Sequence, residues 1–167
     1  MPKSARLKVF HWGCLRVRGA DSLGPEPSDS TFTAAYLRGI CEKTGKPVKT
    51  LLLDQSVVAG IGNIYSDEIL FASGIRPDRP CSTLTGRETA RLADAVPERL
   101  AYFTEKNAIS FEEYRAGRGR DYRNTPYLNV YGKGGKPCPV CGSLLRRIVL
   151  GGRIVVCHCV SRIVCRV

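Results

Sequence analysis

The chain has 167 residues, with 26 Lys and Arg against 15 Asp and Glu, which gives a formal net charge of +11. This length suits one ordinary domain or two small ones and excludes a large multidomain enzyme. A hydrophobic fraction of 43% is typical of a globular protein, and no apolar run approaches the roughly 18 residues that a membrane-spanning helix needs.

The first 29 residues alternate short apolar pieces with turn residues and end in a segment rich in Gly and Pro. This pattern predicts one or two strands followed by a linker over residues 1–29. The basic start of the chain is followed by no apolar segment of signal-peptide length, so we expect a cytoplasmic protein without disulfides.

The spacing of apolar residues changes to a helical period from Ser30 onward. The pattern predicts a helical domain over residues 30–127. Pro97 is expected to kink or split its last long helix, because proline lacks the backbone donor. The four predicted helices begin near residue 31, at Pro47, at Asn63, which caps its own helix, and near Thr85.

The last part of the chain, residues 128–167, has short apolar runs separated by glycines and cysteines. It predicts strands at Leu128–Tyr131, Arg147–Leu150 and Ile154–Val156. The whole chain is therefore expected to be mainly α with a small β part.

The positive charge is concentrated near the end of the chain. Residues 1–113 carry 15 basic and 14 acidic side chains, whereas residues 114–167 carry 11 basic and one acidic. Such a block favours a polyanionic partner. Nucleic acid is the first candidate, and an anionic membrane surface is the second.

Cysteines suggest a metal site in the same segment. Cys138 and Cys141 are two residues apart on a turn rich in Gly and Pro, which is how a zinc knuckle presents half of a tetrahedral site. The second half stays open: Cys157 and Cys159 complete it, or His158 supplies one ligand, or the site is decayed and holds no metal.

A possible anion site precedes the third predicted helix. Gly60 and Gly62 let the backbone approach a ligand closely, and the amides at the N-terminus of the helix that begins at Asn63 attract a phosphate. The spacing alone is equally compatible with an ordinary turn between helices.

Three segments resemble the formamidopyrimidine-DNA glycosylase and endonuclease VIII family of base-excision repair enzymes. They are Leu51–Glu68, Val130–Gly142 and Gly151–Arg153. The resemblance implies the C-terminal half of that family, which is a helix-two-turn-helix bundle followed by a zinc-finger β-hairpin. It implies a DNA-binding bundle over residues 30–127 and the hairpin over residues 128–167.

The resemblance also implies roles for individual residues. Asn63, with Gly60 and Gly62, would hold a DNA phosphate, and Arg153 would be the finger arginine that grips phosphates beside a flipped nucleotide. Lys133 stands where the family has arginine, so it keeps the charge but loses the planar guanidinium.

Two departures from the family pattern concern catalysis and zinc. The family's nucleophile is a mature N-terminal proline next to a glutamate, whereas here Pro2 is followed by Lys3. We expect the catalytic N-terminal domain to be absent, so no catalytic residue is assigned. Counted from Arg153, the family's second zinc pair would fall on His158 and Ser161, and serine is not a zinc ligand.

We therefore predict a DNA-binding repair protein that contacts damaged or abasic double-stranded DNA through its phosphates. The expected protein is a monomer in the bacterial cytoplasm, associated with the nucleoid and not with a membrane, and binds one Zn²⁺. Two alternatives stay open: an active DNA glycosylase and AP lyase, and a decayed gene remnant.

Overall fold

The computed structural model describes residues 23–118 and 122–157. Within these residues the fold is mainly helical, with one two-stranded antiparallel sheet. The predicted N-terminal strands fall mostly on residues 1–22, outside the described part. The helices are α1 (Ala34–Cys41), α2 (Val48–Leu52), α3 (Asn63–Ala72), α4 (Gly86–Lys106) and α5 (Phe111–Arg115), and the strands are β1 (Arg146–Leu150) and β2 (Arg153–Cys157).

Helix α4 has a capping box at its N-terminus and a proline in its interior. Thr85 and Glu88 form a capping box, in which each side chain accepts the backbone N–H of the other residue. Pro97 does not split the helix, which runs unbroken from Gly86 to Lys106. Val96 and Phe103 are buried along it, and their packing outweighs the roughly 3 kcal/mol that an interior proline costs.

The helices pack around one hydrophobic core. Helix α3 contacts both α2 and α4, and α1 packs against α4. No helix among the described residues is long and apolar enough to cross a membrane. Residues buried completely in this core include Leu37, Leu52, Val58, Ile69, Leu92 and Val96.

The hairpin has its own small core. Strand β1 pairs with β2 so that Arg146 lies opposite Cys157 and Leu150 lies opposite Arg153, which confirms the two predicted hairpin strands. Helix α3 touches β2. The second core consists of Val130, Cys138, Leu145 and Val156, with Phe71 of α3 packed against it.

The strand predicted at Leu128–Tyr131 is wrong. These residues form an irregular turn, although their apolar alternation resembles that of a strand. Backbone amides of Asn129, Val130 and Tyr131 donate to the Glu68 carboxylate of α3 and not to a neighbouring strand.

Candidate functional site

The side chain of Gln55 makes two hydrogen bonds across the loop before α3. Gly60 has a φ of 84°, a conformation that side chains with a Cβ rarely adopt. Its N–H donates to Oε1 of Gln55 at 2.9 Å, and Nε2 of Gln55 donates to the carbonyl of Ile61 at 3.0 Å. Gln55 thus fixes both sides of the glycine turn that the sequence analysis singled out.

Helix α3 begins one residue earlier than a cap at Asn63 would require. Gly62 is the N-cap, in an extended conformation, and Asn63 is the first helical residue. The prediction that Asn63 caps the helix is therefore wrong by one position. Among the described residues no side chain caps this end, so the first-turn amides are left for an anion or for solvent.

The side chain of Asn63 is itself incompletely satisfied. Its Oδ1 is buried and has no hydrogen-bond partner in the described part of the chain. Buried polar atoms without partners are rare and concentrate at functional sites. An amide oxygen accepts hydrogen bonds and cannot donate to a phosphate, so the features of this end that suit an anion are the uncapped first-turn amides and the exposed Gly62.

Glu68, one turn further along α3, anchors the C-terminal part of the chain. Its carboxylate accepts the backbone N–H groups of Asn129, Val130 and Tyr131 at 2.8 to 3.0 Å. The Asn129 side-chain amide donates to it as well, at 3.1 Å. The turn that carries Lys133 is therefore fixed relative to α3 through its backbone.

Lys133 is engaged within its own turn. Its ammonium group donates to the carbonyl oxygen of Leu128. The ammonium group that the resemblance assigned to DNA thus makes a hydrogen bond within the turn. The Lys133 side chain is half-buried.

A cavity of about 370 Å³ lies between the first turn of α3 and this turn. Its walls are mostly apolar or aromatic, and two lysines lie on its lining. It begins next to Asn63, because Ile64 is part of its wall. The lining residues are Ile64, Tyr122, Thr125, Leu128, Tyr131, Gly132, Lys133 and Lys136.

A hydrogen-bond network supports one wall of the cavity. Asn124 is fully buried, and its Nδ2 donates to the Tyr65 hydroxyl at 3.1 Å and to the Phe103 carbonyl at 3.0 Å. Burial raises the pKa of Tyr122 to about 12, and its hydrogen bond with Tyr65 contributes to the same shift. The Tyr122 hydroxyl is therefore neutral at physiological pH.

A buried ion pair joins α2 and α3. Nζ of Lys49 is 2.5 Å from Oδ1 of Asp67, and both side chains are 1% exposed. Burial lowers the pKa of Lys49, the Asp67 carboxylate opposes this, and the positive charge of Arg153 lowers it further. Burial likewise raises the pKa of Asp67. Strand β2, which begins at Arg153, contacts α3.

Arg153 is exposed at the beginning of β2, directly after the turn at Gly151–Gly152 and opposite Leu150. The structure thus brings together, along α3, the residues assigned to phosphate binding. Asn63 lies at the N-terminus of the helix, the Lys133 turn is bound by Glu68, and Arg153 begins the strand that α3 contacts.

The predicted zinc half-site forms a tight turn. The N–H of Gly142 donates to the Cys138 carbonyl at 2.9 Å, and the N–H of Val140 donates to Sγ of Cys138 at 3.4 Å. Pro137 and Leu144 pair on the two sides of this turn, and Cys157 pairs with Arg146, two residues after Leu144. The described residues contain no group of three or more metal ligands, and His158 and Cys159 lie outside them.

Comparison with known proteins identifies relatives. Residues 23–113 match the family model described as the formamidopyrimidine-DNA glycosylase H2TH domain. A formamidopyrimidine-DNA glycosylase of Moorella thermoacetica is 47% identical over 130 residues, which are 78% of this chain and 47% of that protein. The Bacillus cereus ATCC 10987 enzyme is 41% identical over 131 residues, covering 78% of this chain and 48% of its own length.

Solved structures show the same architecture. The MutM (Fpg) protein of Thermus thermophilus superposes with a TM-score of 0.71 and 39% identity, covering 81% of this chain and 52% of that one. Lactococcus lactis Fpg in complex with abasic-site DNA gives a TM-score of 0.71 and 32% identity over 81% of this chain and 49% of that one. The chain spans about half the length of these relatives.

The buried ion pair generates the first prediction. Asp67→Ala leaves the Lys49 charge buried without its partner, so we expect the free energy of unfolding in urea to fall by about 3–5 kcal/mol. Glu42→Ala is the control, because it removes one partner of the exposed Arg38–Glu42 pair and should cost less than about 1 kcal/mol. Equal losses in the two variants would contradict a desolvated Lys49–Asp67 pair.

Proposed function

The chain belongs to the formamidopyrimidine-DNA glycosylase family, and from this membership we propose that it binds damaged or abasic duplex DNA at the bacterial nucleoid. One observation carries the proposal: α3 places an uncapped helix N-terminus at Asn63 and also contacts the turn and the strand that bear Lys133 and Arg153. Related proteins are solved in complex with abasic-site DNA and with Fapy-dG-containing DNA.

Two different parts of the structure would each bind one DNA phosphate. The first-turn amides of α3 and the Asn63 side chain would donate to one phosphate, as helix N-termini commonly do. The Arg153 guanidinium would hold another phosphate with charge-assisted hydrogen bonds. These contacts position the chain on DNA without reading its sequence.

The cavity beside Asn63 would lie close to the nucleotide whose phosphate is held. Its aromatic and apolar walls offer stacking contacts, and the neutral Tyr122 hydroxyl offers a hydrogen bond. Preference for a damaged duplex would come from the low cost of moving an unpaired nucleotide out of the stack.

A zinc ion would have a structural role. The Cys138–Cys141 turn fits half of a tetrahedral site, because its geometry presents Cys138 with a backbone donor at the sulfur. Cys157 and Cys159 are the proposed second pair, and His158 is the alternative ligand. Zinc bound there would tie the turn to the end of β2 and leave no open position for catalysis.

Glycosylase and lyase activity is a second candidate function, favoured by the identity to named glycosylases. The chemistry would need an amine that forms a Schiff base with the sugar and an acid to move protons. Pro2, the residue that matches the family's nucleophile, lies outside the described residues and is followed by Lys3 and not by glutamate.

DNA affinity is the direct test of the proposal. We expect the chain to bind a duplex with a tetrahydrofuran abasic site more tightly than the undamaged duplex, as measured by fluorescence anisotropy. Asn63→Ala and Arg153→Ala should each weaken binding by about 1–3 kcal/mol without lowering the melting temperature. Arg38→Ala, which removes an exposed arginine of α1, is the control. Equal effects of Arg38→Ala and Arg153→Ala would reduce the binding to non-specific charge attraction.

Zinc content tests the metal site. We expect about one zinc per chain by atomic absorption, and Cys138→Ser or Cys141→Ser should release it and destabilise the hairpin, because ligation energy there is folding energy. Single variants Cys157→Ser, Cys159→Ser and His158→Ala would identify the second half, with Cys165→Ser as the control. A metal content near zero, together with stability that a chelator leaves unchanged, would show a decayed site.

Borohydride trapping on abasic DNA separates binding from catalysis. We expect no trapped adduct and no strand cleavage, because Lys3 stands where the family's proton-transfer glutamate would be. A trapped adduct that disappears in Pro2→Gly would establish the N-terminal amine as nucleophile. An adduct that survives in Pro2→Gly would show slow reaction of another amine.

A further inference from the structure

An apolar pair is exposed near the tip of the hairpin. Val149 and Ile154 lie directly opposite each other on β1 and β2, and they are 70% and 63% exposed. Cross-strand partners share one face of a sheet, so their side chains form a single apolar surface next to the Gly151–Gly152 turn. No other described residue covers it.

The same face carries an arginine closer to the body of the protein. Arg147 lies two residues before Val149 and opposite Val156, so it is on the Val149–Ile154 face. Its side chain lies against Gly134, where a Cβ would approach Cγ of Arg147 to 2.3 Å. A Cβ at position 134 would force the arginine side chain to move, so the glycine lets the stem of Arg147 lie over the turn between Lys133 and Lys136.

The two faces of the hairpin each present an arginine. Arg153 pairs with Leu150 and therefore lies on the opposite face from Arg147. Both arginines are exposed. The hairpin thus presents the apolar pair and Arg147 on one face and Arg153 on the other.

The surroundings select the chemistry of the partner. Residues 122–167 contain no Asp or Glu, so this segment itself places no acidic side chain beside the apolar patch. A duplex groove has the complementary arrangement, since two phosphate backbones border a floor of sugars and base edges. Two-stranded ribbons enter grooves, and apolar side chains inserted there pack against sugars and base steps.

We propose that the Val149–Ile154 pair packs into a groove of duplex DNA while Arg147, on the same face of the hairpin, and Arg153, on the opposite face, bind phosphates of the bordering backbones. This inference rests on the proposed function and adds a contact that is apolar and not electrostatic. It assigns the exposed valine and isoleucine to DNA binding. Salt does not weaken their contribution, because that contribution is not electrostatic.

The test uses the full chain and substitutions that keep β-branched side chains. Val149→Thr and Ile154→Thr preserve strand preference and introduce a hydroxyl in place of apolar surface. The double variant should bind abasic duplex about tenfold more weakly. The slope of log Kd against log salt should stay unchanged, because no charge is removed, whereas Arg153→Ala should reduce the slope by about one.

Leu144→Thr is the control, because Leu144 is 65% exposed in the same part of the chain but outside the hairpin strands and the Cys138–Cys141 turn. It should bind like the wild type. The inference alone fails if Asn63→Ala and Arg153→Ala weaken binding while the double threonine variant binds normally. Wild-type protein that does not bind DNA would overturn both proposals. A wild-type dimer in sedimentation that the double variant abolishes, with DNA affinity unchanged, would overturn the groove contact and assign the pair to a protein interface.

Discussion

Two neighbouring carboxylates on α3 connect the parts of this structure. Asp67 neutralises Lys49 of α2 inside the helical core, and Glu68 gathers three backbone amides of the turn after residue 128. Buried charges are tolerated only with such partners. The two contacts therefore set the position of α3, and with it the position of Asn63, against both α2 and the hairpin.

Much of the fold could be predicted from the sequence, because it depends on local patterns. The capping box at Thr85, the helical period of α1 and the Gly-Gly hairpin turn all act within a few residues. The irregular turn after Leu128 could not be predicted in this way, because the acceptor of its amides is 61 to 63 residues away. Its apolar alternation serves packing against α3 and not strand pairing.

The residues of the candidate site fall into the same two groups: some are indicated by local sequence patterns, and others act through tertiary contacts. The glycine turn at Gly60 and the basic residue Arg153 are visible as motifs. Gln55 and Asn124 are not, because each acts through a tertiary contact that no spacing rule describes. Lys49 is equally hidden, since a lysine near the start of a helix is ordinarily expected at the surface.

The small core of the hairpin has a consequence for how the protein responds to a ligand. Among the described residues, four buried side chains and Phe71 hold it, and a sheet of two strands is marginal by itself. The order of the hairpin therefore depends on the helical part, to which Glu68 connects it. A ligand that spans α3 and the hairpin would make their separation more costly by linkage, so that two structural units of unequal stability melt as one cooperative unit when the ligand is bound.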